Sequence, residues 1–289
     1  MTTARTERRA SVVVQRCYTA RDELMQGNYS RSGAPSRMKS AGMLLRRMAR
    51  WPLALIPPQT EVRILRGPLR GKKWIKGAGP NAYWVGTYEV ARVGALAEAV
   101  TQGSVIYDIG ANVGIYTLLS SMRAGPSGAV YAFEPLPRNL EYLRRHVALN
   151  QLQNCEVIAE AVGKTPGTAK FSAANWAASM ARLDPEKGEL AVPVTSVDAC
   201  IYGDKPLRPP DVLKIDVEGA ELDVLQGAER TIEDLHPAIF LEVHGTQLHA
   251  DCLKLLTAKG YRVEEGYGQL TALRQDGRRS THNHRAGRV

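Results

Sequence analysis

From Ser104 onward the chain repeats one unit: a short β-branched apolar run, a turn, then a stretch with helical spacing. The apolar runs are Val105–Tyr107, Ala129–Phe133, Glu156–Ala161, Asp211–Val217 and Ala238–Val243. The helical stretches are Ile115–Ser121, Pro137–Asn150, Ala220–Ile232 and Gln247–Lys259. Strands this short and apolar need cover on both faces, and strand–helix alternation supplies it. Tyr261–Glu265 and Gln269–Leu273 follow as a closing antiparallel pair. The expected fold is α/β, a Rossmann-like, mostly parallel seven-stranded sheet with helices on both faces and an antiparallel last strand.

Local signals agree with this pattern. Pro137 suits the first turn of its helix, and Leu140, Leu143 and Val147 form its apolar stripe. Gly260 is a C-cap candidate. Upstream, Glu61–Ile75 alternates around Gly67 and Gly71 and predicts a hairpin. Asn81–Thr101 reads as a turn and then a helix, and Lys164–Val197 as a strand-rich insertion. The resulting division is a basic, disordered tail over 1–42, an extension over 43–103, the catalytic domain over 104–274 and a basic tail over 275–289.

Charge separates the ends from the body. Residues 1–50 carry 11 Lys/Arg against 3 Asp/Glu, and residues 274–289 carry 5 Arg against 1 Asp, which leaves −3 between them out of a total of +9. A slightly acidic body argues against a nucleic-acid surface. Residues 43–56 mix Leu, Met and Trp with Arg, and suit either packing on the domain or a peripheral membrane contact. No apolar run reaches the ~20 residues of a membrane span. Cys17, Cys155, Cys200 and Cys252 are scattered without a CxxC pair, so reduced thiols in a cytoplasmic protein are expected. Oligomeric state has no signature in this sequence.

The turn Asp108-Ile109-Gly110-Ala111-Asn112-Val113-Gly114 follows the first strand, where open α/β sheets bind ligands. Gly110 would let the backbone approach a ligand, and Gly114 would allow tight packing at the helix start. A dinucleotide site places GxGxxG here so that bare amides meet pyrophosphate. This loop opens with a carboxylate instead. Asp108 is a poor neighbour for pyrophosphate and a good one for S-adenosylmethionine, which carries an ammonium, a sulfonium and no phosphate. Glu134, ending the second strand, is placed to accept hydrogen bonds from both hydroxyls of a ribose.

A second cluster runs from Asp211 to Glu221. Lys214 lies in a strand that should be buried, so it needs a partner. It shares a face with Asp216, and in the next strand Glu242 shares one with His244. If the two strands are neighbours, Lys214 pairs with Glu242, and Asp216 meets His244 beside the cofactor. Asp216 would then border the methyl group or the substrate. His244, with an ordinary pKa near ~6.5, would be the general base. Glu218 and Glu221 read as caps of the following helix. Asp216, Glu218 and His244 are also hard donors suited to a divalent metal, although nothing in their spacing demands one.

The blocks VIYDIGANVGIYTLL, VYAFEPLPRNLEYLRRHVALN, VTSVDAC, VLKIDVEGAELDVLQGA, PAIFLEVHG and KGYRV resemble the FkbM-type family of S-adenosylmethionine-dependent methyltransferases. The resemblance covers roughly Gly86 to Val263, and KIDVEGAE is its most specific block. It implies a class I methyltransferase fold and O-methylation of a sugar, glycolipid or polyketide-type hydroxyl. Carried over by position, it implies cofactor contacts from Asp108, Gly110, Asn112 and Glu134, with Asp216 beside the cofactor. The residues themselves add Gly114 and Ala161 to the expected cofactor contacts and give Lys214, Asp216 and His244 as the expected catalytic set. Thr87-Tyr88-Glu89 resembles a family feature that closes over the cofactor. Three rivals remain. An NAD-dependent oxidoreductase is opposed by the missing GxGxxG. A methyltransferase acting on nucleic acid or protein lacks an Asn/Asp-Pro-Pro-aromatic motif for base amines. A non-catalytic binding module would bind cofactor without transferring its methyl group.

Overall fold

The computed structural model describes residues 55–171, 190–266 and 269–274. The expectations for 1–42, for nearly all of 43–56, for the middle of the insertion (172–189) and for 275–289 fall outside these residues. The chain divides into two compact units, residues 1–91 and 92–289.

In the first unit, β1 (Glu61–Arg63) and β2 (Lys73–Ile75) form the expected antiparallel hairpin, with Val62 opposite Trp74. Trp74, Ile75, Ile64 and Leu69 are buried. The Tyr83 ring, on the short helix α1 (Ala82–Val85), meets Trp74 and Tyr88 edge-on. Thr87-Tyr88-Glu89 follows that helix, and Glu89 adopts a left-handed φ of 38°.

The second unit begins inside helix α2 (Val90–Ala99), whose Val93, Leu96 and Ala97 are buried. Among the described residues the remaining helices are α3 (Ile115–Ala124), α4 (Pro137–Leu149), α5 (Val197–Tyr202), α6 (Glu221–Gln226), α7 (Glu229–Leu235) and α8 (Thr246–Ala258). The main-sheet strands are β3 (Val105–Ile109), β4 (Ala129–Phe133), β5 (Cys155–Ile158), β9 (Val212–Ile215), β10 (Ala238–Glu242), β11 (Tyr261–Gly266) and β12 (Gln269–Arg274). Their spatial order is β11-β12-β10-β9-β3-β4-β5. The five from β10 to β5 are parallel, and β12 runs antiparallel to both β10 and β11. This is the expected Rossmann-like class I arrangement. A smaller sheet, β6-β8-β7, is built from β6 (Ala161–Val162), β7 (Gly167–Phe171) and β8 (Leu190–Thr195). The described part of the insertion is therefore strand, as its alternation predicts.

Every residue of β3 and β9 is buried, because helices cover both faces. Tyr107, Ile109, Leu213, Ile215, Ile239 and Leu241 pack against α6, α7 and α8 through Val224, Ile232, Cys252 and Leu256. On the other side, α4 lays Leu143 against Ala111 and Ala132. From β3 the chain builds outward through β4 and β5, then returns to β9 and builds the other way. The carboxyl ends of β3 and β9 thus flank the switch point, where such sheets open a ligand crevice.

Candidate active site

The turn after β3 is held by its own amides. Gly110 and Ala111 both donate N–H bonds to the Phe133 carbonyl, at 3.0 and 2.9 Å. Asn112 N–H donates to Glu134 Oε2 at 2.9 Å, and Gly114 N–H to the Ala111 carbonyl. These four donors are therefore spent within the fold and form no anion cradle. Gly110 has φ of 75°, and a Cβ there would stand 1.8 Å from the Asp216 carbonyl oxygen. Its small size admits the backbone of the turn after the neighbouring strand, and the residue also borders the cleft. Gly114 behaves as expected. A Cβ at its φ of 95° would press to 2.6 Å from Leu143, so glycine lets α4 pack on the start of α3.

Outside this turn lies a cleft, walled by Phe133, Leu136, Val162 and Phe171 on its apolar side. Gly110, Asn112, Ala161 and Asp216 line it. Four carboxylic residues also face it, Glu134, Glu160, Asp216 and Glu218, and no Lys or Arg stands among its described lining. Glu134 is buried, with Oε1 accepting N–H bonds from Leu136 at 2.9 Å and from Asn139 at 3.4 Å. Burial raises its pKa to about 7 against the pull of those bonds.

Asp108 does not line this cleft. It is 0% exposed, one layer beneath the turn. Thr117 Oγ1 donates to its Oδ2 at 2.6 Å, and burial raises its pKa. The reason is register: β3 sets Asp108 beside Lys214 of β9, so the two share a face. Lys214 Nζ lies 3.6 Å from Asp108 Oδ1 and 3.5 Å from Asp216 Oδ2, and donates to the Gly110 carbonyl at 3.2 Å. It also sits over the Tyr116 ring, 4.9 Å from the centroid. The anticipated Lys214–Glu242 pair gives way to this arrangement. Lys214 stands opposite Phe240 in β10, and Glu242 is held by Arg92 at 2.7 Å. Lys214 thus braces the turn from below, between two carboxylates.

Two residues past the end of β10, His244 meets Asp216, as the strand-face reading anticipated. His244 Nε2 stands 3.9 Å from Asp216 Oδ1 and 3.5 Å from Glu218 Oε2. Its Nδ1 lies 2.8 Å from Oε1 of Glu221, which is 0% exposed. The Glu221 bond, reinforced by charge from Glu218 and Asp216 and opposed by burial, raises the imidazole pKa to about 9. A histidine that is charged at neutral pH must release its proton before acting as a base, which corrects the assumption of an ordinary pKa. Glu221 also does more than the expected capping. It begins α6 and accepts the Gly219 N–H, but the same oxygen meets His244.

The Methyltransferase FkbM domain family matches residues 108–263, more than half of the chain and the whole span from Asp108 through His244. The chain belongs to the FkbM methyltransferase family. Hexuronic acid methyltransferase AglP of Haloferax volcanii is 28% identical to this FkbM chain over 193 residues, covering 66% of it and 74% of the relative. Methyltransferase 1 of Beauveria bassiana is 28% identical over 182 residues, covering 55% and 73% respectively. The crystal structure of a Methyltransferase FkbM from Methylobacillus flagellatus KT aligns with a TM-score of 0.44 at 17% identity, covering 67% of this chain and 55% of that one.

Several site residues of this FkbM domain escaped the sequence reading. Glu160 follows β5 as Glu134 follows β4, so the strand-end rule that found one could have found the other. Asn139 and Leu136 sit in the turn and first helical residues after Glu134, within reach of the same rule. Phe171 arrives on β7 and carries no local signal. Burial pushes the Cys155 and Cys252 thiols up to about 12, consistent with packing residues.

Proposed function

We propose that this methyltransferase uses S-adenosylmethionine to methylate a hydroxyl of a sugar, glycolipid or polyketide-type product. The observation that carries the reading is the cleft's chemistry: four carboxylic residues in its wall, no described basic lining, and turn amides already spent on Phe133 and Glu134. A pyrophosphate would find repulsion and four of the turn's amide donors already spent. A phosphate-free nucleoside bearing positive charge suits it.

In this reading Glu134 accepts the ribose hydroxyls, Gly110 and Asn112 shape the turn beside them, and Ala161 and Phe171 wall the base. When bound, the cofactor supplies a methyl group already activated on sulfonium. The protein must then align an acceptor oxygen and remove its proton. Asp216 and His244 stand where that oxygen would approach, with Lys214 fixing Asp216. The name of the Haloferax relative supports a sugar acceptor, and uronic acids are the first to try. Purified full chain, incubated with S-adenosylmethionine and a panel of uronic acids, neutral sugars, lipid-linked sugars and polyketide alcohols, should yield an alkali-stable methyl ether. A methyl ester or methylamine as the only product would overturn the hydroxyl assignment, and cofactor binding without transfer to any acceptor would favour a binding module.

A further inference from the structure

We propose that Asp216, Glu218 and His244 bind a divalent cation of the Mg²⁺ and Mn²⁺ class, which holds the acceptor's hydroxyl oxygen at the end of the cleft. The second half of this proposal rests on the methyltransferase reading; the first half stands alone. The three side chains offer donor atoms that all lie within 4.8 Å of one another. His244 Nε2 stands 3.5 Å from Glu218 Oε2 and 3.9 Å from Asp216 Oδ1. A cation with ligands at about 2.1–2.2 Å spaces adjacent donors about 3 Å apart and opposite donors about 4.3 Å apart, and the observed separations fall between these two values. The three side chains are 21–23% exposed, which leaves the remaining positions open toward cleft and solvent.

A second observation comes from beneath the cluster. Glu221 is 0% exposed, its Oε1 lies 2.8 Å from His244 Nδ1, and its Oε2 has no hydrogen-bond partner among the described residues. A carboxylate that accepts a hydrogen bond from Nδ1–H keeps the proton on that nitrogen and leaves Nε2 as the electron-pair donor facing Asp216 and Glu218, which is how metal-binding histidines are usually oriented. Two carboxylates and one imidazole favour a hard cation over zinc, which prefers more nitrogen or sulfur. Coordination there acidifies the acceptor hydroxyl. Its proton leaves to solvent through Glu218, the oxygen's electron pair forms the bond to the methyl carbon, and the sulfur–carbon pair returns to sulfur.

The test uses the full chain, stripped with chelator, desalted and titrated with Mn²⁺ while free aqueous Mn²⁺ is followed by electron paramagnetic resonance. A single equivalent should be taken up and displaced by excess Mg²⁺. Glu221→Gln should weaken uptake about 10–100-fold, as loss of an orienting partner does. Glu218→Gln and His244→Ala should abolish it, with circular dichroism confirming the fold; if His244→Ala does not fold, the isosteric Glu218→Gln carries the test. Uptake by Glu218→Gln equal to that of the unaltered chain, or no uptake at all, overturns the site. In transfer assays chelator should lower turnover by roughly 100-fold, the lower end of what assisted proton removal contributes, with Mg²⁺ restoring it. Unchanged turnover in chelator overturns the cation's role while leaving methyl transfer standing. Stoichiometric Mn²⁺ uptake with no transfer in any metal supports the site and counts against the methyltransferase reading.

Discussion

Two carboxylates that look alike in the sequence are used in opposite ways. Glu134 faces the cleft and has a pKa raised to about 7 by burial, so ionising it costs the free protein progressively from its usual range up to that pH. In the proposed reading, ribose hydroxyls donate to the ionised form. Affinity for S-adenosylmethionine should therefore tighten from about pH 6 to about pH 8 and then level off, since a ligand that favours the charged form must supply the ionisation cost below the pKa. Calorimetry at several pH values checks this, and Glu134→Gln should bind more weakly with the slope gone over that range. Asp108 faces inward, against Lys214, and its value to the cofactor is indirect. Removing one member of a buried pair typically costs about 3–5 kcal/mol, because the survivor is left charged and dry. Lys214→Met and Asp108→Asn should each lower the urea midpoint substantially, and the double variant should fall short of their sum. Strict additivity would show that the two side chains act independently.

At the scale of elements, the decisive contact is the crossing of two turns at the switch point. Gly110→Ala would set a methyl group on the Asp216 carbonyl, forcing the ends of β3 and β9 apart and displacing Asp216 from Lys214. Gly260→Ala is the matched comparison: φ is a similar 79° there, and a Cβ would meet nothing within 4 Å. The conformational penalty of roughly 1–2 kcal/mol applies to both, the collision only to the first. Thermal melts should show a larger loss for Gly110→Ala, and cofactor binding should vanish in that variant alone. Local periodicity found most of these elements. It located β4 residue for residue, brought α4 within one residue of its end, and paired the last two strands correctly. It missed what distant contacts decide. The stretch read as one helix over Ala220–Ile232 breaks into α6 and α7 around Gly227, where a Cβ would collide with the Gly163 carbonyl. The partner of Lys214 likewise depended on the register between β9 and β3, which no spacing within either strand encodes.

Over the whole molecule, the basic pI of about 9.5 and the acidic cleft belong to different parts of the chain. Residues 1–50 and 274–289 carry the excess of Lys and Arg, while the stretch between them is net −3 and contains the cleft. The overall charge is therefore a poor guide to the ligand, and the cleft's own charge a better one. The two can be separated by stability. A ligand bound only by the folded state adds about 2.7 kcal/mol at 100 times its dissociation constant. For a unit of 150–250 residues, each kcal/mol raises the melting temperature by roughly 2–4 °C, so S-adenosylmethionine should raise it by roughly 5–10 °C. NAD⁺ at the same concentration should leave it unchanged, because its pyrophosphate meets carboxylates and spent amides. The shift should persist when salt is raised several-fold, since a pocket contact of this kind releases few counterions, whereas binding through the basic ends would decay steeply with salt. A larger shift with NAD⁺ than with S-adenosylmethionine would show that the cleft's charge does not choose the cofactor, and the methyl-transfer assignment would lose its physical basis.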